Sequence, residues 1–127
     1  MHLAVSTNKL VFSGIGGVIG SIFGEIDGFL YGLLIFMLID YVTGIMAAIV
    51  EKNLSSSIGK KGIFKKAMII CLVAVAHMID QHVLKQGGAV RTAVIFFYFS
   101  NEGLSILENA TRIGLPVRSE ERRVGKE

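Results

Sequence analysis

The chain has 127 residues, 52% of them hydrophobic, with a mean hydropathy of +0.61 and a formal charge of +3. That length supports one domain at most, and so apolar an average excludes an ordinary water-soluble enzyme domain. A single cysteine, Cys71, excludes an internal disulfide and a cysteine-based metal framework, and the absence of interleaved aromatic and basic residues excludes a single-strand nucleic-acid groove.

Taken in chain order, Leu10–Gly24 is apolar and glycine-rich. Crossing a bilayer core takes roughly 20 residues, so this stretch is short for a span. It reads as an interfacial helix or a candidate fourth span, with no cleavage site of a signal peptide after it. Gly16, Gly20, Gly24, Gly28 and Gly32 recur every fourth residue. On one helix they form a side-chain-free groove for close helix approach in lipid. Alternatively, Gly24 and Gly28 mark a turn around Glu25–Asp27. Both readings leave Gly16 and Gly20 as a packing face.

Gly28–Val50 carries one charge, Asp40, and has the length and hydropathy of a transmembrane helix. Glu51–Lys66, EKNLSSSIGKKGIFKK, reads as a polar link. Ala67–Leu84 is a second span, interrupted by His77 and Asp80, with Cys71 as a small buried hydrophobe inside it. Lys85–Arg91 is a glycine-containing turn. Thr92–Ala110 is a third span, apolar at first and then mixed, and Gly114–Pro116 ends it. The expected fold is therefore an all-α membrane protein: three transmembrane helices plus a short Gly-rich N-terminal hydrophobic helix.

The excess of lysine in the 51–66 link places it in the cytoplasm. The three spans then run outside to inside, inside to outside and outside to inside. Glu25–Asp27 lies outside and the C-terminus inside. Lys60, Lys61, Lys65 and Lys66 become candidates for anionic lipid headgroups. The segment Arg118–Glu127, RSEERRVGKE, is an abrupt charged tail that matches a translated sequencing adapter. Residues 1–117 are accordingly expected to form the single membrane domain, and 118–127 to be non-native.

Ionisable groups at membrane depth cost a few kcal/mol on insertion scales and need a partner, a pore or another subunit. Asp40, Thr43, Gly44 and Ala47 share one helical face, which suits a helix contact centred on a carboxylate. A proton relay is the alternative role for Asp40. His77, Asp80 and Gln81 share a second face, but two ligands do not make a zinc site. In the third span, Glu102, Ser105 and Asn109 align, as do Asn101, Ser105 and Glu108. This half is amphipathic, suited to an interface or a water-lined assembly. Ser105 has no adjacent base and no nucleophile-elbow spacing. Gly14–Gly20 lacks the Lys-Ser/Thr ending of a phosphate loop. No catalytic constellation, cofactor or metal site is expected. Polar residues of this kind also make a lone chain poorly satisfied in lipid, so homo-oligomerisation is expected through Gly16, Gly20 and Gly24 and the face of Asp40, Thr43, Gly44 and Ala47. Asp80, Asn101, Glu102, Ser105, Glu108 and Asn109 are the candidate pore-lining or polar-face residues.

Several of these motifs together resemble the phage-lysis and toxin-secretion holin family. They are the DYVTG of Asp40–Gly44 followed by Ala47, the Asn53–Lys66 segment NLSSSIGKKGIFKK, Asp80, Arg91, and YFSNEGLSILENATRIGLPV from Tyr98 to Val117. The resemblance covers roughly Gly28 to Val117. It implies a non-enzymatic protein that accumulates in the bacterial inner membrane and oligomerises into lesions or pores. An endolysin, or in relatives a toxin, leaves through them and the host cell lyses. Partners implied are the chain itself and the lipid bilayer, with endolysin as a functional partner that needs no direct contact, and no nucleic acid. The competing readings are a small ion or proton channel or transporter subunit, a membrane anchor for one partner, and an intramembrane enzyme.

Overall fold

The computed structural model describes residues 2–85 and 87–116, with side chains from Ser6 onward, and all regular structure in it is helical. Helix α1 spans His2–Phe23, α2 Gly28–Val50, α3 Ser56–Met78 and α4 Ala89–Ile113; a π-helical segment, Ile79–Leu84, continues α3. The charged tail 118–127 lies outside the described residues.

Local chemistry fixes each boundary. Gly24 ends α1 with φ +82, a left-handed conformation that glycine adopts without strain. Asp27 then caps α2, its Oδ1 accepting from the Leu30 amide at 2.9 Å. The glycines at four-residue spacing therefore belong to two helices joined by a turn, which is the alternative reading of Gly24 and Gly28.

At the far end of α2, the Asn53 amide donates to the Ala48 carbonyl at 3.0 Å and the Lys52 amide to Ile49 at 3.1 Å. This is the paired C-terminal closure that normally uses glycine; here Lys52 takes it at φ 58. Ser55 follows as the N-cap of α3. The connection is thus only five residues long, 51–55, and Lys60, Lys61, Lys65 and Lys66 stand on the first turns of a helix. The expected link through Lys66 is corrected accordingly. α1 also begins earlier than expected, at His2, and has 22 residues. Gly114, at φ 117, closes α4 ahead of Pro116.

Among the described residues two helices are long and apolar enough to cross a membrane: Gly28–Val50, and the continuous helix Ser56–Leu84. α4 has the length, 25 residues, but its second half is polar. α2 and α4 form the closest pair, α3 packs on α4, and α1 approaches α3. The apolar core joins Leu30, Leu33 and Met37 of α2 to Val73 of α3 and Ile95 of α4. Two glycines let α2 and α4 approach. A Cβ on Gly32 would lie 2.7 Å from the Phe99 ring, and one on Gly103 3.4 Å from Phe36. Phe36 and Phe99 stack at 4.2 Å between centroids.

The distribution of polarity is inverted relative to a water-soluble bundle. Asp40, Asp80, Arg91, Glu102 and Asn109 are buried, while Leu10, Phe12 and Phe64 are each more than 70% exposed. Cys71, expected to be buried, is also on the exposed surface.

Candidate functional site

The buried polar residues form two clusters, one toward each end of the bundle. The larger begins at Asp40, near the middle of α2. Its Oδ2 accepts from the Lys66 ammonium at 2.6 Å, and its Oδ1 accepts from the Asn109 amide at 2.9 Å. Lys66 also donates to both oxygens of Glu102, at 3.0 and 3.2 Å. Asn109 reaches the Asp40 carbonyl at 3.1 Å and the Thr43 hydroxyl at 3.0 Å. Arg112 extends the chain of contacts, donating to Asn109 Oδ1 at 3.2 Å and to Glu51 at 2.7 Å. Three helices thus share one polar network, with two carboxylates on a single lysine. At its exposed end the Arg112 hydrogen bond holds the Glu51 carboxyl below its ordinary value.

The face of Asp40, Thr43, Gly44 and Ala47 is therefore occupied within the chain. Ala47 is fully buried, and a Cβ on Gly44 would sit 3.6 Å from the Asn109 amide nitrogen. The α4 stripe divides. Glu102 and Asn109 are buried and Ser105 half-buried on the network side, whereas Asn101 and Glu108 are exposed. Lys60, Lys61 and Lys65 are exposed too, but Lys66 is turned inward, its ammonium on Asp40 and Glu102. Among the described residues no buried side-chain nitrogen or oxygen lacks a partner. Of the polar groups expected to leave a lone chain poorly satisfied, the buried ones find partners on α2, α3 and α4, whereas Asn101 and Glu108 stay exposed.

Two open clefts flank Lys66. One, of about 160 Å³, lies toward α2 and includes Tyr41, Gly44 and Asn109. The other, of about 450 Å³, lies toward α4 and includes Tyr98, Asn101, Glu102 and Glu108. Asp40, Gly62, Lys66 and Ser105 wall both.

The second cluster surrounds Arg91, which the sequence presents only as the start of a span. Its Nε donates to the Phe23 carbonyl at 2.7 Å, one terminal nitrogen to Asp27 at 3.0 Å and the other to the Glu25 carbonyl at 2.5 Å. One guanidinium thereby ties the α1–α2 turn to α4. Burial pushes the Asp27 carboxyl up, but the Leu30 amide and Arg91 outweigh it and hold the group below its ordinary value. Gly24 is required here, since a Cβ would lie 2.6 Å from the Arg91 Nε and 3.0 Å from His77 Nδ1. Asp80, on α3's π segment, turns toward the start of α4. Its carboxylate accepts from the Val90 and Arg91 amides at 3.0 and 2.8 Å, capping α4 from across the turn. Gly16 and Gly20 meet nothing: a Cβ at either has no neighbour within 4 Å.

The described residues contain no group of three histidine, cysteine or acidic side chains able to hold a metal. The profile of the bacteriophage holin family matches residues 17–120. The chain belongs to the bacteriophage holin family.

Among relatives of this holin-family chain, an uncharacterized Listeria innocua protein is 46% identical over 109 residues, covering 86% of this chain and 77% of that one. A Halalkalibacterium halodurans protein is 46% identical over 85 residues, 64% of this chain and 63% of its own length. The "probable holin" of Bacillus phage phi105 is 36% identical over 80 residues, 63% of this chain and 58% of its own. The chain thus spans less than two thirds of the length of several relatives. No solved structure matches it. The holin family is not an enzyme family, and its members are membrane proteins.

Proposed function

We propose that this chain acts as a holin. It accumulates in the bacterial cytoplasmic membrane, associates with copies of itself and opens lesions through which an endolysin, or in a toxin-exporting system a toxin, leaves the cytoplasm. The observation that carries the reading is the inverted polarity: exposed apolar helices surround the buried Asp40–Lys66–Glu102 network, a distribution suited to lipid.

In this reading α2, α3 with its π segment, and α4 cross the bilayer, and α1 lies along or through it. The basic first turns of α3 and the C-terminal end of α4 face the cytoplasm, while the Asp27–Arg91 turn faces outward. Lys60, Lys61 and Lys65 contact headgroup phosphates, and Lys66 is reserved for Asp40 and Glu102. Gly16 and Gly20 supply a contact between copies, since no side chain of their own molecule covers them. Glu102, Ser105 and Asn109 line the assembled lesion, with Asn101 and Glu108 at its edge.

The test is expression in bacteria with and without a cytoplasmic murein hydrolase. Abrupt lysis only when both are present supports the holin reading. A selective ion conductance with no release of folded protein would instead favour the ion- or proton-channel reading, for which the polar cleft beside Glu102 would be the path.

A further inference from the structure

The residues assigned to the lesion wall face inward in the folded chain, so they require a change of packing before they meet a water-filled opening. The structure contains an element suited to that change. The second half of α3 is anchored in the apolar core, through Val73 with Ile69 and Ile70 beside it. The first half, residues 56–66, has no buried apolar side chain: Ile58, Ile63 and Phe64 are 42%, 54% and 71% exposed. Two contacts hold it. Lys66 bridges Asp40 and Glu102, and Tyr41 lays its ring on Gly62 while its hydroxyl donates to the Gly59 carbonyl at 3.3 Å.

We infer that the first half of α3 is a releasable arm, latched to α2 and α4 by Lys66, and that opening of this latch converts the folded chain into a lesion-forming subunit. The inference rests on the holin reading and names the regulation of its lining residues. Clefts on both sides of Lys66 give water a short route to the ion pairs, and a hydrated ion pair is far weaker than a dry one. In an assembled lesion, release of the arm hands the ammonium and both carboxylates to the water of the opening. An apolar latch would have to expose hydrocarbon in the same step. Once the arm is away, Asp40, Glu102 and Ser105 form a continuous polar surface along α2 and α4.

The experiment reconstitutes the full chain, with Cys71→Ala, in vesicles loaded with a folded fluorescent protein. Tyr41→Cys and Gly62→Cys are introduced together, because a Cβ on Gly62 would lie 3.1 Å from the Tyr41 ring. The reduced double variant has lost the Tyr41 contact that helps hold the arm, so it is expected to release cargo at or below the parent's protein-to-lipid ratio. Oxidation is expected to abolish release, and a thiol reductant to restore it. Full release with the two sites cross-linked overturns the latch while leaving the holin reading intact; a parent that never releases cargo overturns the reading itself. A second variant covers misfolding of the double mutant. Lys66→Gln is expected to release cargo at a lower protein-to-lipid ratio than the parent, and Lys66→Arg at the parent's ratio. Release by Lys66→Gln only at the parent's ratio or above overturns the latch.

Discussion

Asp40 is the residue on which most of the network converges. Its two oxygens serve Lys66 and Asn109, and its carbonyl serves Asn109 again. In Asp40→Leu, Asn109 keeps the carbonyl of residue 40 and the Thr43 hydroxyl, but the Lys66 ammonium loses one of its two carboxylates and keeps only Glu102. Leaving a buried polar group partly unmatched costs about 1–3 kcal/mol, and thermal unfolding in mild detergent should show that loss. Unchanged melting would mean that the network contributes little to folding. Asp27 supports a prediction with a definite sign. Its carboxyl is held below the ordinary value, so the fold favours the charged form. The Arg91 link is then fully present above the unfolded-chain value of about 3.9 and is lost as pH falls through the lower folded value. Hydrogen exchange at the Leu30 amide should stay constant from neutral pH down to about pH 4 and accelerate only below it, after correction for the intrinsic pH dependence of exchange. Asp27→Asn keeps a capping side chain and should remove that acid step. The same acid step in the variant would assign it to another group.

Among the elements, the contact between α2 and α4 depends on small residues facing aromatic rings. Gly32→Val should disturb the Phe36–Phe99 stack, because its Cβ would fall 2.7 Å from the Phe99 ring. Overpacking of this kind costs typically about 1–3 kcal/mol, enough to lower the melting temperature measurably despite the loss of a flexible glycine. An unchanged melting temperature would show that the rings yield freely. The helical class and the polar alignments of α4 were legible in the sequence because hydropathy and the 3.6-residue period act locally. Glu102, Ser105 and Asn109 do share a face, and Asp40 does sit at a helix contact. The start of α3 was not legible from charge alone. Four lysines resembled a loop, yet Ser55 capping and the short closure at Lys52 carry the helix through them. Nor did periodicity reveal the partners of Lys66, Arg91 and Asp80, which lie 26, 64 and 10 residues away in Asp40, Asp27 and Val90. An arginine opening an apolar helix opposite an acidic turn was the available signal for Arg91, since such a charge needs a partner.

For the whole molecule, internal satisfaction of the charges changes what self-association can depend on. A chain with orphaned buried carboxylates would cluster to pair them, whereas this one has already paired Asp40, Asp80 and Glu102. The contact between copies must therefore come from surfaces that the monomer leaves uncovered. α1 is the clearest: Leu10, Phe12, Ile15 and Val18 are exposed, and Gly16 and Gly20 have open space where a side chain would be. This separates folding from assembly in a way a mutation can read. A Cβ at Gly16 or Gly20 meets no described atom of another element within 4 Å, so in Gly16→Leu and Gly20→Leu thermal stability should be unchanged or slightly higher, leucine being the better helix former by nearly 1 kcal/mol per site. If a second copy packs on that face, the added bulk blocks its approach, and chemical cross-linking in native membranes should shift from oligomers toward monomers. Asp40→Leu should give the converse pattern, a less stable chain with cross-linking preserved in the molecules that fold. Undiminished cross-linking in the double glycine variant would remove α1 from the contact and direct attention to the exposed rings of Phe29, Phe96 and Phe97 on α2 and α4.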